Sequence, residues 1–202
     1  MHKLVVLDPE DLKQIIRRRR KTGADRYDEV WDGVYVMSPI ADNNHQRLAS
    51  QFVIAIDGAL KPQINAIVLA GTNVSDRKVK WQKNYRVPDV AVFLPGNPAE
   101  DMDAFWHGGP DFVVEVVSHR DRSRQKLDFY AAVGVRELLL VDRDPWALEL
   151  YRLDGDHFER VDAIADGSLM SRVLPLRFNL TADTPTPKIL VDQTIDGRRW
   201  AF

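Results

Sequence analysis

Apolar residues fill both faces of the segment Phe112-Val113-Val114-Glu115-Val116-Val117, the pattern of a strand covered on both sides, and one carboxylate, Glu115, interrupts it. Ser118 to Asp121 supply helix caps, Gly134 stands where a glycine closes a helix, and Leu138 to Val141 is a second apolar run. The spacing therefore predicts strand, helix and parallel strand in succession. Wound at ~100° per residue, positions 122–133 gather Leu127, Phe129, Tyr130 and Val133 into one apolar arc, and Lys126 lies inside that arc. A lysine so placed faces the sheet and needs a carboxylate beneath it. Glu115 is the nearest candidate.

The remaining pattern supplies further elements. Asp8 and Pro9 open a helix that ends in the basic run Arg17 to Lys21 and stops at Gly23. Alternation over Tyr27–Trp31 and Val34–Met37 around Asp32-Gly33 predicts a hairpin, with Glu29 on the face of Tyr27 and Trp31. Asp42 or Asn43 caps a helix running to about Leu60, with His45 turned inward near its start. Residues 64–70 and 85–94 are expected as strands, the second interrupted by Asp89. Residues 71–83 form a polar, basic connection, and 95–110 a loop or flap carrying Phe105 and Trp106. A second hairpin is expected around Asp154-Gly155-Asp156, a short extended piece at 174–180, and a tail over 181–202 that wraps the domain or a partner subunit.

Length and composition narrow the picture. With 202 residues and 45% hydrophobic content the chain suits one domain, 1–202, with its core at about 8–180. The absence of cysteine excludes disulfides and thiolate metal sites and is compatible with a reducing cytoplasm. No apolar run reaches the ~18 residues of a membrane span, so a cytoplasmic protein without membrane contact is expected. A formal charge of −2 gives no overall pull towards nucleic acid, which leaves local basic patches to supply it.

The chemistry gathers at the irregularities. Asp89 and Glu115 each break an apolar strand, and Lys126 faces inward from the helix after the second. Two like charges ~4 Å apart repel by roughly 4 kcal/mol at an effective dielectric of 20, so neighbouring acids require a cation or a proton between them. Oxygen donors suit a hard divalent ion, and an ion with a fixed ammonium suits phosphodiester hydrolysis.

The segments Tyr27-Asp28-Glu29-Val30-Trp31-Asp32-Gly33-Val34-Tyr35-Val36-Met37-Ser38-Pro39, His45, Val87-Pro88-Asp89-Val90-Ala91-Val92, Glu115-Val116-Val117-Ser118, Lys126-Leu127-Asp128-Phe129-Tyr130 and Gly134-Val135-Arg136-Glu137-Leu138-Leu139-Leu140-Val141-Asp142 resemble, in order, the Uma-two family of the PD-(D/E)XK nuclease superfamily. The resemblance implies an α/β (α+β) fold, with a restriction-endonuclease-like mixed sheet flanked by helices and extended by an N-terminal helix and hairpin. It implies Mg²⁺, with Mn²⁺ as a substitute, at Asp89 and Glu115, with Lys126 as catalytic lysine and Glu29 as the additional acid. In the wider superfamily the lysine stands two residues after the acid, where this chain has Val117, and His119 replaces the family's usual proline. The expected function is endonucleolytic cleavage of DNA, in a homodimer if both strands are cut. The alternative is a non-catalytic nucleic-acid-binding or regulatory protein that keeps the acids for structure.

Overall fold

The computed structural model describes residues 9–38, 41–61, 64–117 and 122–202. The expected caps Asp8 and Ser118 to Asp121, and with them His119, lie outside the described residues.

Helix α1 (Pro9–Thr22) carries acids in its first turn and bases in its last, complementing the helix dipole. Arg19, however, is drawn out of the expected basic end. Its guanidinium pairs with buried Asp28 and donates to the carbonyls of Ala24 and Ser38. This fastens α1 to the hairpin of β1 (Glu29–Trp31) and β2 (Val34–Val36). Both turn residues, Asp32 and Gly33, have positive φ, at 48° and 86°, the type I′ geometry that matches strand twist.

Helix α2 (Asn43–Leu60) is capped by Asp42, whose carboxylate accepts the His45 backbone N–H at 2.8 Å. Strand β3 (Ile67–Ala70) follows, then β4 (Val74–Ser75) inside the expected basic connection. The strand expected over 85–94 is two strands, β5 (Tyr85–Arg86) and β6 (Val90–Phe93). Pro88 has no N–H to give a ladder, and the chain changes sheets across Val87-Pro88-Asp89. Asp89 therefore stands at the entry of β6 and not within a continuous strand.

The expected flap over 95–110 contains a small hairpin, β7 (Glu100–Asp101) and β8 (Trp106–His107). Its aromatics are buried: Trp106 stacks on Phe93 with centroids 3.8 Å apart, and Phe105 on Trp81 at 4.7 Å. Next come β9 (Phe112–Val116), a 3₁₀ turn over Ser123–Lys126, α3 (Leu127–Ala132) and β10 (Glu137–Arg143). Strands β11 (Trp146–Asp154) and β12 (His157–Arg160) make the second expected hairpin. Strands β13 (Leu169–Met170), β14 (Leu176–Leu180), β15 (Ile189–Gln193) and β16 (Arg199–Ala201) complete the chain.

The central sheet has the order β12-β11-β10-β9-β6-β3, with β9 and β10 parallel and the other pairs antiparallel. Side chains alternate between its faces. On one face Val90, Val92, Phe112, Val114, Val116, Leu139 and Val141 meet α2 and the β13–β16 sheet. On the other, Val113, Val117, Leu138 and Leu140 meet Phe129 and Tyr130 of α3 and Val74. Residues 181–202, expected as a tail, contribute two strands to this core. Phe202 lies edge-on to Phe52 of α2 at 5.1 Å, and Trp200 covers Gly58, where an added Cβ would stand 3.3 Å from the ring. A third sheet, β2-β1-β5-β4-β8-β7, carries the N-terminal hairpin towards α3.

Candidate active site

Glu115 is the fourth residue of β9, and strand alternation turns it to the α3 side of the sheet. It is 3% exposed, so its charge demands a partner. Lys126 supplies one from the last position of the 3₁₀ turn, its Nζ 2.9 and 3.0 Å from the two carboxylate oxygens. One helical turn further on, Tyr130 is fully buried and its hydroxyl donates to Glu115 Oε1.

The same ammonium reaches the N-terminal hairpin. Lys126 Nζ lies 2.9 Å from Glu29 Oε1. Glu29 is itself buried within the hairpin. Its Oε1 also accepts the Val87 backbone N–H at 2.8 Å, and its Oε2 the Trp31 indole N–H at 2.6 Å. Lys126 thus bridges acids from two different sheets.

Asp89 completes the group from the other side. The β6–β9 register pairs Val90 with Val114, and carried one residue further it sets Asp89 opposite Glu115. Directly opposite positions bring Cβ atoms to about 4.5–5.5 Å. Asp89 Oδ2 accepts the Val116 backbone N–H at 2.7 Å, and Oδ1 lies 2.8 Å from His45 Nε2. The inward histidine of α2 is therefore a direct partner of an acid of this cluster.

Electrostatics follow from burial. Loss of water pushes the Glu115 carboxyl up to about 8, with Asp89 and Glu29 adding to the rise while Lys126 and Tyr130 oppose it. Burial also works against the Lys126 ammonium, but Glu115, Glu29 and Asp89 outweigh it and raise its pKa. The lysine stays charged and the acids outnumber it three to one. Glu115 binds its proton more tightly in the folded state than in the unfolded one. Its stabilising contribution is thus whole below its ordinary value of 4.5 and is lost as pH rises through about 8. Between pH 5 and 8, Glu115→Gln is expected to gain stability relative to wild type, by at most about 1.4 kcal/mol per pH unit in urea melts. Parallel curves for the two proteins would refute this.

Among the described residues no three His, Asp or Glu side chains stand in a ready-made metal-binding geometry. The donor set nevertheless fits a hard cation. A carboxylate offers about four acceptor sites, and Asp89 spends one on each oxygen while Glu115 Oε2 spends one on Lys126. Lone pairs remain on opposed oxygens in a region with excess negative charge.

Sequence reasoning did not identify Tyr130, Trp31 or Arg86 as neighbours of the site. Tyr130 carried a signal, because it lies four residues after Lys126 on the same helical arc. Trp31 carried one too, since alternation sets it on the face of Glu29, whereas Arg86 sits in a strand of two residues, too short for alternation to assign a face.

A comparison with curated proteins gives no match. Among solved structures the chain is similar to "a putative nuclease belonging to DUF820 from Anabaena variabilis ATCC 29413". The TM-score is 0.56 at 19% identity, covering 71% of this chain and 80% of that one. Similarity at this identity concerns the fold, a mixed sheet with flanking helices. The family described as "Putative restriction endonuclease" matches residues 9–184, and the chain belongs to that family, Uma2.

Proposed function

We propose that the protein is a Mg²⁺-dependent endonuclease that hydrolyses DNA phosphodiester bonds, with Mn²⁺ as a working substitute. The observation that carries this reading is the Lys126 ammonium held 2.9 Å from both Glu115 and Glu29, on the sheet face that register shares with Asp89. Asp89 and Glu115 are the residues that would hold the ion. A divalent ion there would neutralise phosphate charge and acidify water.

The chain's own groups do the rest. Lys126 presents a fixed positive charge where negative charge develops on the phosphate, and its partners hold it there before substrate arrives. Glu29, anchored at both oxygens, orients that ammonium and offers a proton acceptor beside it. His45 fixes the rotamer of Asp89. Cutting both strands of a duplex requires two such centres, so the reading extends to a homodimer, detectable as twice the chain mass in solution.

The test is incubation of purified protein with DNA and Mn²⁺ beside Asp89→Ala. Loss of at least about 10²-fold is expected, as for removal of a group that stabilises the transition state. Equal cleavage by the two proteins would assign the activity to a contaminant. One observation favours a second reading: Lys126 already bridges Glu115 and Glu29 in a buried ionic contact, an arrangement that serves structure without chemistry. A nucleic-acid-binding protein of that kind would hold DNA equally in EDTA and leave it intact with Mn²⁺.

A further inference from the structure

Arg86 is 4% exposed and pairs with no carboxylate among the described residues. One terminal nitrogen donates to the carbonyls of Val30 and Tyr85 and to Asn84 Oδ1, while the buried Nε–H has no hydrogen-bond partner among the described residues. Its guanidinium carbon lies 4.7 Å from the Trp31 ring centroid and 4.2 Å from that of Phe129. Burial lowers its pKa, with Glu29 opposing the fall. An apolar side chain of similar length would fill this slot without burying a charge, so stability alone gives no reason for arginine here.

The two rings explain the choice. Trp31 donates its indole N–H to Glu29 Oε2, and beside the Lys126 ammonium Glu29 Oε1 accepts the N–H of Val87, the residue directly after Arg86. Phe129 stands three residues after Lys126 at the start of α3. Arg86 therefore adjoins three elements around the Glu29–Lys126 contact: the indole on one acid oxygen, the peptide on the other, and the helix that directly follows the lysine. A planar cation binds aromatic rings through their π faces and keeps both at a fixed spacing, as neither lysine nor an aliphatic chain does.

We propose that Arg86 is a positioning residue for the Glu29–Lys126 pair, acting through Trp31, Val87 and Phe129 without touching substrate. This rests on the nuclease reading for its kinetic consequence but not for its structural one. It also accounts for the unsatisfied Nε–H, a buried defect of the kind found where a site is held in a set geometry.

The test compares wild type with Arg86→Met by two readouts. The first is hydrogen exchange of the Trp31 indole N–H, assigned by its disappearance in Trp31→Phe. Release of that bond from Glu29 is expected to speed exchange about tenfold or more, the equivalent of one hydrogen bond. The second is Mn²⁺-dependent cleavage of DNA, where kcat should fall roughly 10²-fold, the loss expected from an ångström-scale misplacement, with KM within about threefold. Unchanged indole exchange in the folded variant overturns the proposal whatever kcat does. Faster exchange in a protein whose wild type cleaves nothing leaves Arg86 as the positioning residue and defeats the nuclease reading instead. Should Arg86→Met fail to fold, Arg86→Lys keeps the charge and stem, loses the planar group, and is read in the same way.

Discussion

The Lys126→Met protein is expected to cleave DNA about 10²–10³-fold more slowly than wild type, the loss that follows removal of one fixed charge from a reacting centre. The structural cost is separable from the chemical one. Breaking a buried ion pair by removing one partner costs about 3–5 kcal/mol when the remaining charge has nowhere to go. Here it has an outlet, since burial already holds the Glu115 carboxyl near 8 and a proton can replace the ammonium at neutral pH. The melting temperature should therefore fall less than a full buried charge would demand, and fall further as the pH is raised above 8. Cleavage at the wild-type rate by folded Lys126→Met would end the proposed role of this lysine.

A change far from the site should cost more in stability. Glu137 opens β10, is 0% exposed, and draws together segments distant in sequence. Its carboxylate accepts from Arg152 Nε at 2.8 Å, from the Arg172 backbone N–H at 3.0 Å, and from the Ser171 hydroxyl. Arg152 in turn donates to the Met170 carbonyl. Together these bonds tie the segment between β13 and β14 to the middle of the central sheet. Glu137→Ala leaves a partly buried guanidinium and several backbone donors without their acceptor, a loss of about 3–5 kcal/mol. At about 2–4 °C per kcal/mol for a chain of this size, a fall of roughly 6–20 °C is expected by calorimetry. A shift under about 3 °C would show that the network is not needed.

Glu137 also marks the limit of sequence reading here. It stands at the head of an apolar run that plainly announces a strand, but its partners at 171 and 172 lie in an irregular segment with no periodicity. The central strand-helix-strand unit was legible because β9 and β10 are long enough for apolar continuity to show, and because Gly134, at φ 84°, ends α3 where a left-handed residue is needed. The arc drawn over 122–133 also turned Lys126 inward, although the helix expected there is a 3₁₀ turn ending at Lys126 followed by the six-residue α3. Elsewhere the elements fall below the length at which a pattern exists. The sheet that carries Glu29 is built of strands of two and three residues, so periodicity marks neither the burial of Glu29, which only the family resemblance sets among the site's acids, nor the broken strand at Pro88. Residues 181–202 read as a tail because prolines stand between β14 and β15, and because β16, joined to β15 by a turn, has only three residues and pairs with β15.

That last pairing has a bearing on how the chain assembles during synthesis. The apolar side of α2 is covered in part by β14 and β15, and Gln193 Nε2 closes on the Ala59 carbonyl across 134 positions. At the ~5–20 residues per second of a working ribosome, the helix waits about 7–27 s for its final cover. Throughout that delay a sticky surface is open to other nascent chains, so yield in a cell should depend on chaperone supply more than on the finished protein's resistance to heat.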